Sequence, residues 1–383
     1  MEKITKIIII LLLTLIIPSK KILATEKIKI GLLIPLSGQY SEMGKSIIKA
    51  TGLAINKINS PLIEILPRDT KSDPATTLRS AKELSQLGVK IIIGPVFNDN
   101  LIYLDEFKDI TFLSLTNKDD HNSKKIISTG INANSQLKAI QKFIKLNKIK
   151  NTIFLTPNAD YKYDIENAIS VSGLRIMKNY IYDSDPTKLT KQIEKITNYK
   201  IRKQNLEDEI KRLEESNESN KERLIENLKK KDTIGSVKFD SVIIADFDES
   251  LKSVTTSLLY TDISPKEKYF ITLNQWFDES LLEETSAQPI YFPSINKENY
   301  DDFKLEYFEK FKQYPNQLSF LSYDLVGLVY YLILQNDFKI NEKIFTKKTM
   351  FKGKIGIFEI KNNKINHILN FYKVENKSFK KIF

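Results

Sequence analysis

The sequence predicts an α/β protein built from two doubly wound parallel sheets, on three observations. Short β-branched runs alternate with segments of helical period, as in successive βα units. Several of those runs are apolar at nearly every position, the pattern of strands covered on both faces. The alternation then starts afresh after residue 130, which implies a second sheet.

The first strand spans residues 28–34, with Ile28, Ile30, Leu32, Leu33 and Ile34 apolar. Pro35 stops it, Ser37, Gly38, Ser41 and Gly44 allow the turn, and Ile47, Ile48, Leu53, Ala54, Ile55 and Ile58 recur at helical spacing. A second strand covers 63–66. Asp73 is a good N-cap and Pro74 suits a first turn, so a helix follows with the stripe Leu78, Ala81, Leu84, Leu87. Strands at 89–93, 110–115 and 126–130, with a short helix at 101–107, complete the first set. The second set reads as helix 136–146, strand 152–156, helix 163–172, strand 174–182, helix 186–197, strand 239–245, helix 249–261 and strand 269–272. A short run at 289–292, helices at 297–313 and 318–335, and a hairpin of strands 357–360 and 368–374 close the chain.

Residues 199–232 break the pattern with ten basic and nine acidic residues. Leu206, Ile210 and Leu213 on one arm and Leu224 and Leu228 on the other give a narrow apolar seam, so this segment is expected to be an inserted helical hairpin. It could dock a partner or be a solvated insertion, and mixed charge favours the latter.

Composition narrows the function. Lys3 and Lys6 precede an apolar run at 7–17, with Pro18 and Ala24 beyond, which predicts a secretory signal at 1–24 and a periplasmic mature chain. The run is too short for a spanning helix, so a retained anchor is the weaker alternative and the mature chain is not expected to span a membrane. With no cysteine, disulfides, thiolate metal sites and a lipid-attachment cysteine are all excluded. The two histidines, His121 and His367, are far apart and expected at the surface, so no metal, no cofactor and no catalytic triad is predicted, and the protein is not expected to be an enzyme. The net charge of +11 is spread along the chain without a nucleic-acid motif, and no nucleic-acid partner is expected.

The chain resembles the type I periplasmic binding proteins of the leucine/isoleucine/valine-binding branch. The resemblance is carried by Ile30 to Gly38, Gly44, Asp69-Thr70 with Asp73-Pro74, Val89 to Pro95, Tyr323-Asp324, and Phe351 to Gly356. It implies two lobes joined by three crossovers, near 130–133, 273–277 and 341–347, with the ligand in the cleft between them. Lobe 1 is then 27–131 with 273–342, and lobe 2 is 132–272 with 343–383. The implied role is solute binding for an ABC importer and its permease, with an amino acid or a related small polar molecule as ligand.

Ligands of doubly wound sheets sit at the carboxyl ends of strands. The candidates there are Ser37, Gly38 and Tyr40 after the first strand, Asn98 and Asp99 after the third, and Thr116 and Asn117 after the fourth. In lobe 2 they are Tyr161, matching a cleft aromatic of the family, and Asp246 or Asp248, matching the acid that holds a ligand amino group. Asp248 could instead cap the helix beginning near Glu249. Asn98, Tyr161 and Asp246 are expected to face one cleft. Asn98 replaces the family's serine, and Asp99 would repel a carboxylate, which departs from ordinary amino-acid recognition. The runs at 239–247, 258–262 and 321–324 are also similar to penicillin-binding protein activators, and this leaves a penicillin-binding protein as the alternative partner.

Overall fold

A computed structural model describes residues 27–118, 123–341 and 343–383. The expected signal segment and His121 lie outside these. In the first lobe, β1 (Ile28–Ile34), α1 (Ser41–Ile58), β2 (Ile63–Asp69), α2 (Pro74–Gln86), β3 (Ile91–Ile93), β4 (Thr111–Ser114) and β5 (Ile126–Ser128) follow in order. The helix expected at 101–107 is instead two 3-10 turns, Asn98–Leu101 and Leu104–Glu106. Asp73 caps α2, its side chain accepting from Thr76 N–H at 2.7 Å.

The second lobe comprises α3 (Ala133–Leu146), β6 (Thr152–Pro157), α4 (Lys162–Ser172), β7 (Lys178–Tyr182), α5 (Pro186–Ile196), α6 (Tyr199–Glu214), α7 (Lys221–Lys229), β8 (Ser241–Ile244), α8 (Asp248–Tyr260), β9 (Tyr269–Thr272), α9 (Ser280–Glu283) and β10 (Ile290–Ser294). The chain continues through α10 (Lys297–Phe311), α11 (Gln317–Leu334), β11 (Thr349–Lys352), β12 (Ile357–Lys361), β13 (Lys364–Ile368), β14 (Asn370–Glu375) and β15 (Ser378–Lys381).

The two lobes repeat one topology. The first sheet runs β2-β1-β3-β4-β5, all parallel. The second runs β15-β14-β10-β9-β8-β6-β7, and its parallel part has the same order read from β7 to β10. Each sheet therefore reverses its strand order once, between β1 and β3 and between β6 and β8, and the carboxyl ends flanking these switch points are where such sheets bind ligands.

The lobe boundary lies later than the sequence implies. β10 pairs parallel with β9 and antiparallel with β14, so residues 290–294 belong to the second sheet and the crossover follows Ser294. The ladder partner is some 80 residues downstream (Ile290 opposite Val374), beyond the reach of a local pattern. Helices α10 and α11 then return to lobe 1. Ser46 of α1 marks their seat: its Oγ accepts from Asn316 N–H at 2.9 Å and from the Tyr307 hydroxyl at 3.1 Å, and lies 2.7 Å from Ser319 Oγ.

The terminal hairpin is also more elaborate than expected. β11, β12 and β13 form a separate antiparallel sheet at the third crossing, and only β14 and β15 join the second lobe. His367 of β13 is buried rather than exposed, with its Nε2 2.8 Å from the Thr129 carbonyl oxygen. Burial holds it neutral and pushes its pKa down to about 4.

In the inserted segment, α6 and α7 are two helices joined by a turn. Leu206 and Leu213 are buried, whereas no residue of α7 is. At its base Arg202 is buried and donates to the carbonyls of Thr261 at 2.9 Å and Gly235 at 3.2 Å and to Thr233 Oγ1 at 2.6 Å.

Candidate functional site

Two contiguous cavities open between the lobes. The inner one, of about 400 Å³, lies against the β1/β3 switch point and is lined by Met43, Phe97, Asn98, Leu115, Thr116 and Asn117 of lobe 1, with Trp276, Gln317 and Leu321. The outer one, of about 700 Å³, shares Asn117, Ile131, Trp276 and Gln317 with it and adds Phe247, Asp248 and the loop Asn274 to Glu279. Residues from both lobes thus face one cleft.

The structure brings some predicted residues together and separates others. Asn98, Thr116 and Asn117 line the inner cavity, and Asp248 lines the outer one. Asp248 is the first residue of α8, whose N-cap position is held by Phe247 without a side-chain cap. Asp99 is exposed and lines neither cavity. Tyr40 packs on Phe97 at a ring separation of 4.6 Å, at the edge of the site.

Ser37 is committed to the scaffold: its hydroxyl donates to Asp69 Oδ2 at 2.5 Å, while Asp69 Oδ1 accepts from Leu36, Ser37 and Lys71 N–H groups. Partial burial pushes the Asp69 carboxyl up, but these donors outweigh it and hold it below the ordinary value. Gly38 turns the chain with φ of 80°.

Tyr161 and Asp246 line neither cavity. Asp246 is buried at the end of β8, where it accepts from the Tyr182 hydroxyl at 2.5 Å and from Phe247 N–H at 3.0 Å. Burial raises its pKa against those bonds. The Tyr161 hydroxyl donates to the Ala245 carbonyl at 3.3 Å, and desolvation with the nearby Asp246 pushes it up to about 12. The acid expected to hold a ligand amino group is therefore already bonded within lobe 2, because the Tyr182 hydroxyl at the end of β7 reaches it across β6. The expected meeting of Asn98, Tyr161 and Asp246 is not observed.

The loop after β9 was legible only as a crossover, yet it supplies much of the site. Gln136 Oε1 accepts from Asn274 N–H at 2.8 Å, and Asn274 Oδ1 accepts from Trp276 N–H at 3.0 Å and from Ser294 Oγ at 2.8 Å. Gln275 Nε2 donates to the Asp246 carbonyl and to Thr272 Oγ1. Trp276 and Phe277 follow this bracing at φ of 49° and 57°, an uncommon conformation for bulky residues. The available signal was the chain's single tryptophan placed just beyond a strand end.

Two switch-point sheets facing one cleft define a two-lobed α/β architecture, the type I periplasmic binding protein fold. The family model described as periplasmic binding protein matches residues 27–199. The branched-chain amino acid substrate-binding protein LivJ of Streptococcus pneumoniae, solved with isoleucine, is similar over 93% of this chain and 98% of its own at 18% identity and a TM-score of 0.54. A proposed branched-chain amino acid ABC transporter protein of Rhodospirillum rubrum is similar over 93% and 100% at 12% identity and a TM-score of 0.71. The C-domain of LpoA from Haemophilus influenzae, described as a regulator of PBP1A, is similar over 93% and 100% at 14% identity and a TM-score of 0.61. At these identities the likeness is one of fold. No curated protein matches the chain by sequence.

Proposed function

We propose that this protein is an extracytoplasmic solute-binding protein that captures a small molecule in the interlobe cleft and presents it to the permease of an ABC importer. The observation that carries this reading is a cleft walled from both lobes, with an apolar inner cavity and a braced loop whose Trp276 lines both cavities. Such a concave site with a few fixed polar groups suits a ligand. Binding rather than catalysis is its task, and lobe closure on the ligand is the transport signal.

Trp276 makes the test direct, since all tryptophan emission comes from this one cleft residue. Titration with a panel of amino acids, short peptides and aromatic acids should give a saturable change with at least one of them. The same ligand at 100 times its dissociation constant should add about 2.7 kcal/mol of stability. Neither response with any solute would refute the reading.

A second reading, regulation of a cell-wall synthase such as a penicillin-binding protein, is favoured by one feature, the α6–α7 arm whose second helix buries none of its residues. Loss of synthase binding on removal of that arm, together with an unresponsive cleft, would establish it in place of transport.

A further inference from the structure

The two adjoining cavities of the cleft differ in the charge of their linings. The inner cavity is walled by apolar side chains such as Met43, Leu318 and Leu321, and the charged group on its lining is Lys118. The outer cavity is lined by five side-chain amides, Asn117, Gln136, Asn274, Gln275 and Gln317, and by three carboxylates, Asp248, Asp278 and Glu279, with one ammonium, Lys304. The lysine and the net acidic set thus line different cavities, and the side-chain amides Asn117 and Gln317 line both.

Asn274, on the lining of the outer cavity, is a second observation that points to a ligand there. It is only 5% exposed, and its orientation is set because Trp276 N–H must be met by its carbonyl oxygen rather than its amino group. Its Nδ2 then has no hydrogen-bond partner, and a buried donor left unmatched is costly enough that native proteins rarely keep one without a use.

An α-amino acid carries its ammonium and carboxylate on one carbon, and cannot place them at opposite ends of such a cleft. A peptide separates them by a chain of amide units, each with one donor and one acceptor, which side-chain amides match in kind.

Building on the solute-binding function above, we propose that the cleft takes a di- or tripeptide with an apolar C-terminal residue. Its carboxylate lies at the Lys118 end, with the apolar side chain in the inner cavity. A peptide carbonyl accepts from Asn274 Nδ2, which must turn out to the cavity surface to reach it, and the N-terminal ammonium lies among Asp248, Asp278 and Glu279.

The test is a Trp276 fluorescence titration with leucine, Gly-Gly-Leu and N-acetyl-Gly-Gly-Leu, on the unaltered protein and on an Asp248→Asn/Glu279→Gln double variant. Both altered side chains are exposed, so the variant should fold. Gly-Gly-Leu is expected to bind roughly tenfold or more tightly than leucine or the acetylated peptide, and the double variant to lose that advantage. Leucine binding as tightly as the tripeptide, or acetylation without effect, overturns the peptide assignment while solute binding stands. A response to some other solute but not to Gly-Gly-Leu does the same, whereas silence across the whole panel removes the peptide assignment and the solute-binding reading together.

Discussion

Replacing Asp324 by asparagine should remove a pH dependence from the stability of this protein. Asp324 is buried in α11 and accepts from the backbone N–H groups of Lys354 and Ile355, each at 2.7 Å, thereby tying the core helix of lobe 1 to the turn between β11 and β12. Burial pushes its carboxyl up to about 7, while those two N–H donors and the Lys354 ammonium pull the other way. Between the unfolded value near 3.8 and this raised one, the folded state holds a proton that the unfolded chain has lost. Stability from this group therefore falls as pH rises through that window. At about 1.4 kcal/mol per pH unit, the loss between roughly pH 4.5 and pH 7.5 is about 3 kcal/mol. An asparagine side chain at this position would not titrate, and its amino group would confront one N–H that the carboxylate now accepts, which should cost about 1–3 kcal/mol at low pH. Urea unfolding at both pH values should then show the advantage of the native protein over Asp324→Asn shrinking by about 3 kcal/mol on going to the higher pH. An equal difference at both pH values would refute the assignment of a raised carboxyl at this site.

His367 should act in the opposite sense. Its pKa is lowered to about 4, so the folded state resists a proton that the unfolded chain takes up, and stability should fall as pH drops from about 6.5 through about 4, a slope that His367→Gln removes in the same unfolding assay. Arg202→Ala would leave the carbonyls of Thr261 and Gly235 without their donor and should cost about 2–4 kcal/mol by thermal melting, although the rest of α6 and α7 is largely solvated. A methyl group at Gly44 would overlap the Pro35 carbonyl, so Gly44→Ala should shift the loop between β1 and α1 and lower the melting temperature, whereas Gly52→Ala, with open space around it, should be neutral or stabilising.

The parallel strands were legible because each is an apolar run that needs cover on both faces, as at Ile30 to Ile34 and Ile91 to Ile93. Asp73 at the start of α2 and the mixed-charge arms of α6 and α7 were likewise set by local chemistry. At the site, Asn98, Thr116 and Asn117 could be anticipated from their places beyond strand ends. Asp246 could not, because whether a carboxylate is free depends on what faces it, and Tyr182 comes from a strand 64 residues away in sequence.

The sequence by itself determined the class of fold, the repeated βα order and the ends of the sheets at which a ligand would sit, since periodicity, capping and turn chemistry act over a few residues. Tertiary structure decided which side chains remain available there. It buried His367 against Thr129, moved β10 into the second sheet by pairing it with β14, and turned the loop after β9 from a connection into a wall of the cleft by fastening Asn274 to Gln136 and Ser294. Each of these rests on partners brought together by folding over long stretches of chain, and no local pattern specifies them.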